Sequence, residues 1–109
     1  MEKTILNDVY IADTFKKRFL GYMFQKKPKY DAILIKPCNS IHTFFMKFPI
    51  DVIFLNEEMK IVKKIENLQP SKIVFPVKSS VMVMEFKTGS FKNMGNVGDE
   101  VLGTVIKYK

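Results

Sequence analysis

The sequence predicts a mainly β, α+β fold: one small domain, a β-barrel or sandwich carrying two short helices. Three observations point there. The chain has 109 residues, room for one core, since domains typically run to roughly 100–150 residues. Its five Gly and five Pro are spread along the chain and cut it into apolar pieces of strand length. Only one stretch shows a helical hydrophobic period, and the rest alternates or runs apolar continuously. Residues 1–109 are therefore expected to form a single domain.

The elements follow in order. Residues 5–12 are short and rich in strand formers, with Asn7 and Asp8 at a bend. Asp13 or Thr14 supplies an N-cap. Phe15, Phe19, Leu20, Met23 and Phe24 then recur as the stripe of a one-sided helix, which ends at Lys26-Lys27-Pro28. Gly21 inside that helix costs about 1 kcal/mol against alanine and suggests close packing. Residues 32–35 read as a buried strand stopped by Pro37. Residues 40–46 and 52–55 read as strands on either side of Phe48-Pro49-Ile50-Asp51. Residues 56–59 form a hairpin turn and 60–66 the returning strand. Pro70 and Pro76 bracket an irregular connection with a brief strand at 73–75. Residues 80–86 are apolar on both faces and belong at the centre of a sheet. Thr88 caps a short helical turn closed by Gly95, and Gly98-Asp99 turns into a last strand at 101–106.

Composition bounds the function. Eighteen Lys+Arg against eleven Asp+Glu give +7, a field that aids solubility and attracts anions. Arg18 is the only arginine, and reading guanine edges leans on arginine's planar fork, so sequence-specific nucleic-acid recognition is disfavoured. The small lysine groups at 16–17, 26–29 and 60–64 read first as solvated surface, with weak lysine-mediated polyanion binding as an alternative. A lone cysteine, Cys38, excludes an intrachain disulfide and a multi-cysteine zinc site. No apolar run approaches the roughly 20 residues of a membrane span, and the first residues lack a charged leader with a long apolar run. The expectation is a reduced, cytoplasmic monomer that needs no cofactor and holds no metal.

The run Cys38-Asn39-Ser40-Ile41-His42-Thr43-Phe44-Phe45-Met46-Lys47-Phe48-Pro49-Ile50-Asp51, continued by the apolar strand to Leu55, resembles the core motif of the domain of unknown function family numbered one hundred and ninety-two. The resemblance extends upstream to Arg18, Gly21 and Met23, placed as in that family's Arg-x-x-Gly-x-Met helix. Downstream it takes in Val83-Met84-Glu85-Phe86, Gly89, Gly95 and Gly98-Asp99. Some relatives carry a secretion signal and a Trp where this chain has Phe45. The resemblance implies a small β-rich domain and no established reaction.

Candidate chemistry gathers in the same segment. His42, the only histidine, can act as base or ligand, or simply bond neighbouring backbone. In an extended segment 40–46, Ser40, His42, Phe44 and Met46 share one face, and Ile41, Thr43, Phe45 and Lys47 the other. Cys38 and His42 would then lie roughly 13 Å apart, too far for a thiolate–imidazole bond without a bend near Pro37. Lys47 and Asp51 flank a turn, either as a structural pair or at a pocket rim, and a backbone N–H is the commonest partner for Asp51. Arg18 can reach Asp51, Glu85 or an anionic ligand, and Glu85 interrupts an apolar strand in a way that calls for a partner. No phosphate loop, dinucleotide fingerprint, nucleophile elbow or zinc spacing is present. The reading is a non-catalytic module that binds a small polar or anionic ligand or a protein partner through Arg18, Ser40, His42, Thr43, Lys47 and Asp51. The alternative is a small hydrolase with His42 as base, supported by Asp51 or Cys38.

Overall fold

The computed structural model describes residues 6–89, 96–99, 101 and 106–108. Among these residues nine elements run in the order β1 (Leu6–Ala12), α1 (Phe15–Leu20), β2 (Ala32–Ile35), β3 (Ile41–His42), β4 (Ile50–Leu55), β5 (Ile61–Leu68), β6 (Ile73–Val74), β7 (Met82–Lys87) and β8 (Ile106–Tyr108). Six strands form one mixed sheet in the order β5-β4-β7-β2-β1-β8, and β3 pairs with β6 in a small second sheet. The fold is mainly β and sandwich-like, without a closed barrel. β1 is parallel to β2 and to β8; every other pairing is antiparallel. Parallel neighbours need a crossover of a dozen or more residues. Residues 13–31 supply it between β1 and β2, and they carry α1.

Side-chain alternation divides the core between the two sheet faces. On one face Val9, Ala32, Leu34, Ile53, Leu55, Met84 and Phe86 pack together. On the other, Ile33, Ile35, Val52, Phe54 and Val83 pack with Tyr22, Ile41 and Met46, which arrive from the crossover and the β3 region. Each large side chain buried there contributes roughly 1.5–3 kcal/mol. The central position expected for residues 80–86 is met by β7, hydrogen-bonded to β4 and β2. The hairpin at 56–59 is closed by Asn56, whose Oδ1 accepts the N–H groups of Glu58 (2.9 Å) and Lys60 (3.0 Å).

Two expected elements differ. The helix does not run to Lys27: it stops at Gly21, whose φ of 46° and ψ of −124° lie outside helical space. None of its own residues is buried. Phe15 and Phe19 are 78% and 53% exposed, whereas Tyr22 and Met23, just past its end, enter the core. The expected strand 40–46 reduces to Ile41–His42, because the chain turns at Thr43, with Met46 N–H bonded to Thr43 O (3.3 Å) and Phe45 at φ 62°. The last strand among the described residues is Ile106–Tyr108; residues 102–105, most of the expected strand 101–106, fall outside the described ones. Residues 90–95, which hold most of the expected second helical turn, also fall outside them.

Candidate functional site

Between α1 and the sheet lies a cleft of about 320 Å³, lined by Phe15, Arg18, Phe19, Leu20, Gly21, Ile35, Cys38, Ser40, Ile41, His42, Met46 and Glu85. Its geometry follows from two local features. Thr14 caps α1, its Oγ1 accepting the Lys17 N–H at 3.2 Å, so that Arg18 and Phe19 project from a fixed single turn and a half. Gly21 then brings backbone onto the sheet: a Cβ at this position would lie 3.0 Å from Glu85 Oε1.

Glu85 forms the floor. It sits on β7 opposite Val52 on one side and Ile33 on the other, and it is 2% exposed. Among the described residues its Oε1 has no hydrogen-bond partner. Burial among apolar neighbours pushes its pKa up from 4.5 to about 8, so at neutral pH the carboxyl keeps its proton and is a hydrogen-bond donor as well as an acceptor.

The other polar groups are placed around that floor. Arg18, half-buried, makes a long bond to Asp13 O, 3.5 Å from Nη1, which engages one of its five donors. The chain bends at Pro37 and Asn39, so Cys38 and His42 line one cleft despite the expectation of an extended separation. The Cys38 thiol donates to Ser40 O at 2.9 Å. Its pKa is raised from 9.0: burial raises it most, the Ser40 hydrogen bond lowers it, and Glu85 (raising) and Arg18 (lowering) act more weakly. His42 Nδ1 accepts the Phe44 N–H at 3.2 Å, so the neutral ring carries its proton on Nε2. The ring is held against Phe19 and Phe44, both at 5.3 Å between centroids.

Of the residues singled out in the sequence, Arg18, Ser40 and His42 line this cleft; Thr43, Lys47 and Asp51 do not. Thr43 is fully buried and bonded to backbone: Oγ1 donates to Gln69 O (2.7 Å) and accepts the Lys72 N–H (2.8 Å). Asp51 accepts the Asn67 N–H (2.8 Å) at Oδ1 and the Gly89 N–H (3.0 Å) at Oδ2. It pairs with Phe86, on the sheet face away from Glu85. Lys47 is exposed. Glu85 was absent from the expected site set, although its place in an apolar strand was the signal. Among the described residues no group of His, Cys, Asp and Glu could hold a metal ion, and no helix is long and apolar enough to cross a membrane.

Comparison with known proteins agrees with this architecture. Two crystal structures share the fold: a protein of unknown function from Novosphingobium aromaticivorans (TM-score 0.72, 19% identity, 84% of this chain and 71% of that one), and a Sinorhizobium meliloti protein (TM-score 0.73, 22% identity, 84% and 78%). In sequence, the chain is 36% identical to a UPF0127 protein of Pyrococcus furiosus over 105 residues, covering 91% of this chain and 89% of the relative. It is 41% identical to a UPF0127 protein of Pyrococcus horikoshii over 87 residues, covering 75% and 74%. The model of the family DUF192, described as "Uncharacterized ACR", matches residues 2–103, and the chain belongs to that family.

Proposed function

We propose that this protein is a non-catalytic binding module whose cleft beneath α1 takes a small carboxylate with an apolar body. The observation that carries this reading is Glu85, a buried carboxyl with an unsatisfied oxygen at the floor of an open cleft. An orphaned buried polar group costs roughly 1–3 kcal/mol, and a bound polar group would recover that cost. A neutral carboxyl donates a hydrogen bond to an acceptor, and Arg18 supplies positive charge to the same cleft, which together favour an anionic head. The walls of Phe15, Phe19, Leu20, Ile35, Ile41 and Met46 favour an apolar remainder. Catalysis is less well served: the Cys38 thiol is held protonated, and the His42 nitrogen that would accept a proton already accepts a backbone N–H.

Thermal unfolding of the full chain with lactate, succinate, glutamate, isovalerate and hexanoate tests this. At one hundred times its dissociation constant a bound compound adds about 2.7 kcal/mol of stability. At least one of the five should raise the Tm, and Glu85→Gln and Arg18→Gln should each cut the shift by half or more. No shift with any of them, together with a bare mass for the cell-purified protein in native mass spectrometry, would overturn the reading.

A further inference from the structure

α1 buries none of its residues, and its phenylalanines belong to a larger exposed surface. Phe15 stacks near Phe19 (6.4 Å), Phe19 meets His42, and His42 stacks on Phe44. Phe24 stacks on Phe45 at 5.4 Å. An apolar groove of about 400 Å³ joins Phe19, Phe44 and Phe45 to Ile73 and Phe75 on the β6 side. Phe15, Phe24, Phe45 and Phe75 are each 60% exposed or more. Scattered exposed apolar residues are ordinary, but a contiguous patch of this kind marks an interaction site.

Charge accompanies the patch. The residues lining the apolar groove and its neighbour beside α1 include Lys16, Lys17, Lys26, Lys27 and Lys29 and no Asp or Glu. A second groove, about 760 Å³ on the other flank of α1, is bordered by Phe24 and carries Lys16, Lys17, Lys26, Lys27 and Lys29. We propose that this phenylalanine face, edged by the lysine groove, docks on an anionic lipid bilayer, with the rings entering the headgroup–acyl boundary and the lysines meeting lipid phosphates.

The distribution selects this occupant over others. Two copies meeting through this face would bring together surfaces of the same sign, which costs association free energy. A single-stranded nucleic acid would use the aromatic rings, but Ile73, Val74 and Pro76 offer bases nothing to stack on or bond to. Apolar side chains on a basic face, with no spanning helix among the described residues, are the features of interfacial binding, and each lysine near an anionic surface strengthens it roughly fivefold.

Co-sedimentation of the full chain with phosphatidylcholine vesicles, with or without 30% phosphatidylglycerol, tests the proposal. The protein should pellet with the anionic vesicles and not the zwitterionic ones, and 0.5 M NaCl should weaken binding. The double variant Phe19→Ser/Phe75→Ser should lose about tenfold in partitioning or more, and Lys26→Glu/Lys27→Glu a similar factor. Both pairs are exposed, so the variants should keep the wild-type Tm. Absence from the anionic pellet would overturn the proposal, as would a pellet unchanged by the Phe→Ser pair. Tighter binding to a single-stranded RNA oligomer than to vesicles would also contradict it, as would a dimer in sedimentation equilibrium that the Phe→Ser pair dissociates. Glu85→Gln leaves this face intact, so failure of the carboxylate screen and failure of vesicle binding are separate results.

Discussion

The backbone of Gly21 passes so close over Glu85 that a methyl group on Gly21 would sit 3.0 Å from the buried Oε1. This approach ends α1, roofs the cleft, and seals the carboxyl from solvent on one side. It links a local conformational requirement on the crossover to the ionisation of a side chain 64 positions away in sequence.

Gly21→Ala therefore meets two obstacles, a positive φ and a close contact. We expect a loss of about 1–3 kcal/mol, read as a fall in Tm of roughly 5–15 °C for a domain of this size. In a double-mutant cycle with Glu85→Ala, the part due to contact should be recovered and the part due to φ retained. Strict additivity would show that the two residues do not touch.

Glu85 makes stability depend on pH in an unusual direction. Its folded value, about 8, lies above its ordinary value of 4.5. Between those limits the unfolded chain has released a proton that the folded chain retains, so stability falls as pH rises. The full fall is on the order of 5 kcal/mol. Denaturation at pH 5 and pH 8 should show it in the wild type, and Glu85→Gln should flatten most of it. An equal slope in the variant would assign the effect to other groups.

Where Glu85 has an unpaired oxygen, Asp51 is a buried side chain whose two oxygens accept backbone N–H groups, one from the end of β5 and one from the turn after β7. Asp51→Ala leaves both donors orphaned and should cost about 2–4 kcal/mol in chemical denaturation. It should leave carboxylate binding in the cleft unaffected in any protein that remains folded. Lost binding in a folded variant would move Asp51 into the site.

These residues also show how far the sequence can be read. The central strand was legible because 80–86 is apolar on both faces, a property that only a position between two strands and two packed layers explains. The extent of α1 was not, because the helical period continues through Met23 and Phe24, and only the approach to Glu85 shows why Gly21 must leave helical space. Residues 40–46 alternate as a strand would, yet Thr43 bonds to Gln69 and Lys72, partners invisible to local pattern. Arg18, Ser40 and His42 were legible as polar groups in aromatic surroundings, and Thr43 and Asp51 looked the same. What separates them is whether backbone groups distant in sequence engage their polar atoms.

Cys38 should be a slow thiol. Burial raises its pKa, so its thiolate fraction at pH 7.5 is below that of an exposed cysteine. Labelling with an aromatic disulfide reagent should run slower than for glutathione and should accelerate as the pH rises. Faster labelling than glutathione would reveal an activated thiolate and favour the hydrolase reading.

The most direct test follows the Glu85 side chain itself. Carboxyl carbon NMR of protein labelled with ¹³C at glutamate, titrated over pH 4 to 10 and assigned through Glu85→Gln, reads its ionisation without any assumed activity. The expected midpoint is near 8, and it moves when a carboxylate that raises the Tm is added. A midpoint between 4 and 5, unmoved by every carboxylate tried, would contradict it.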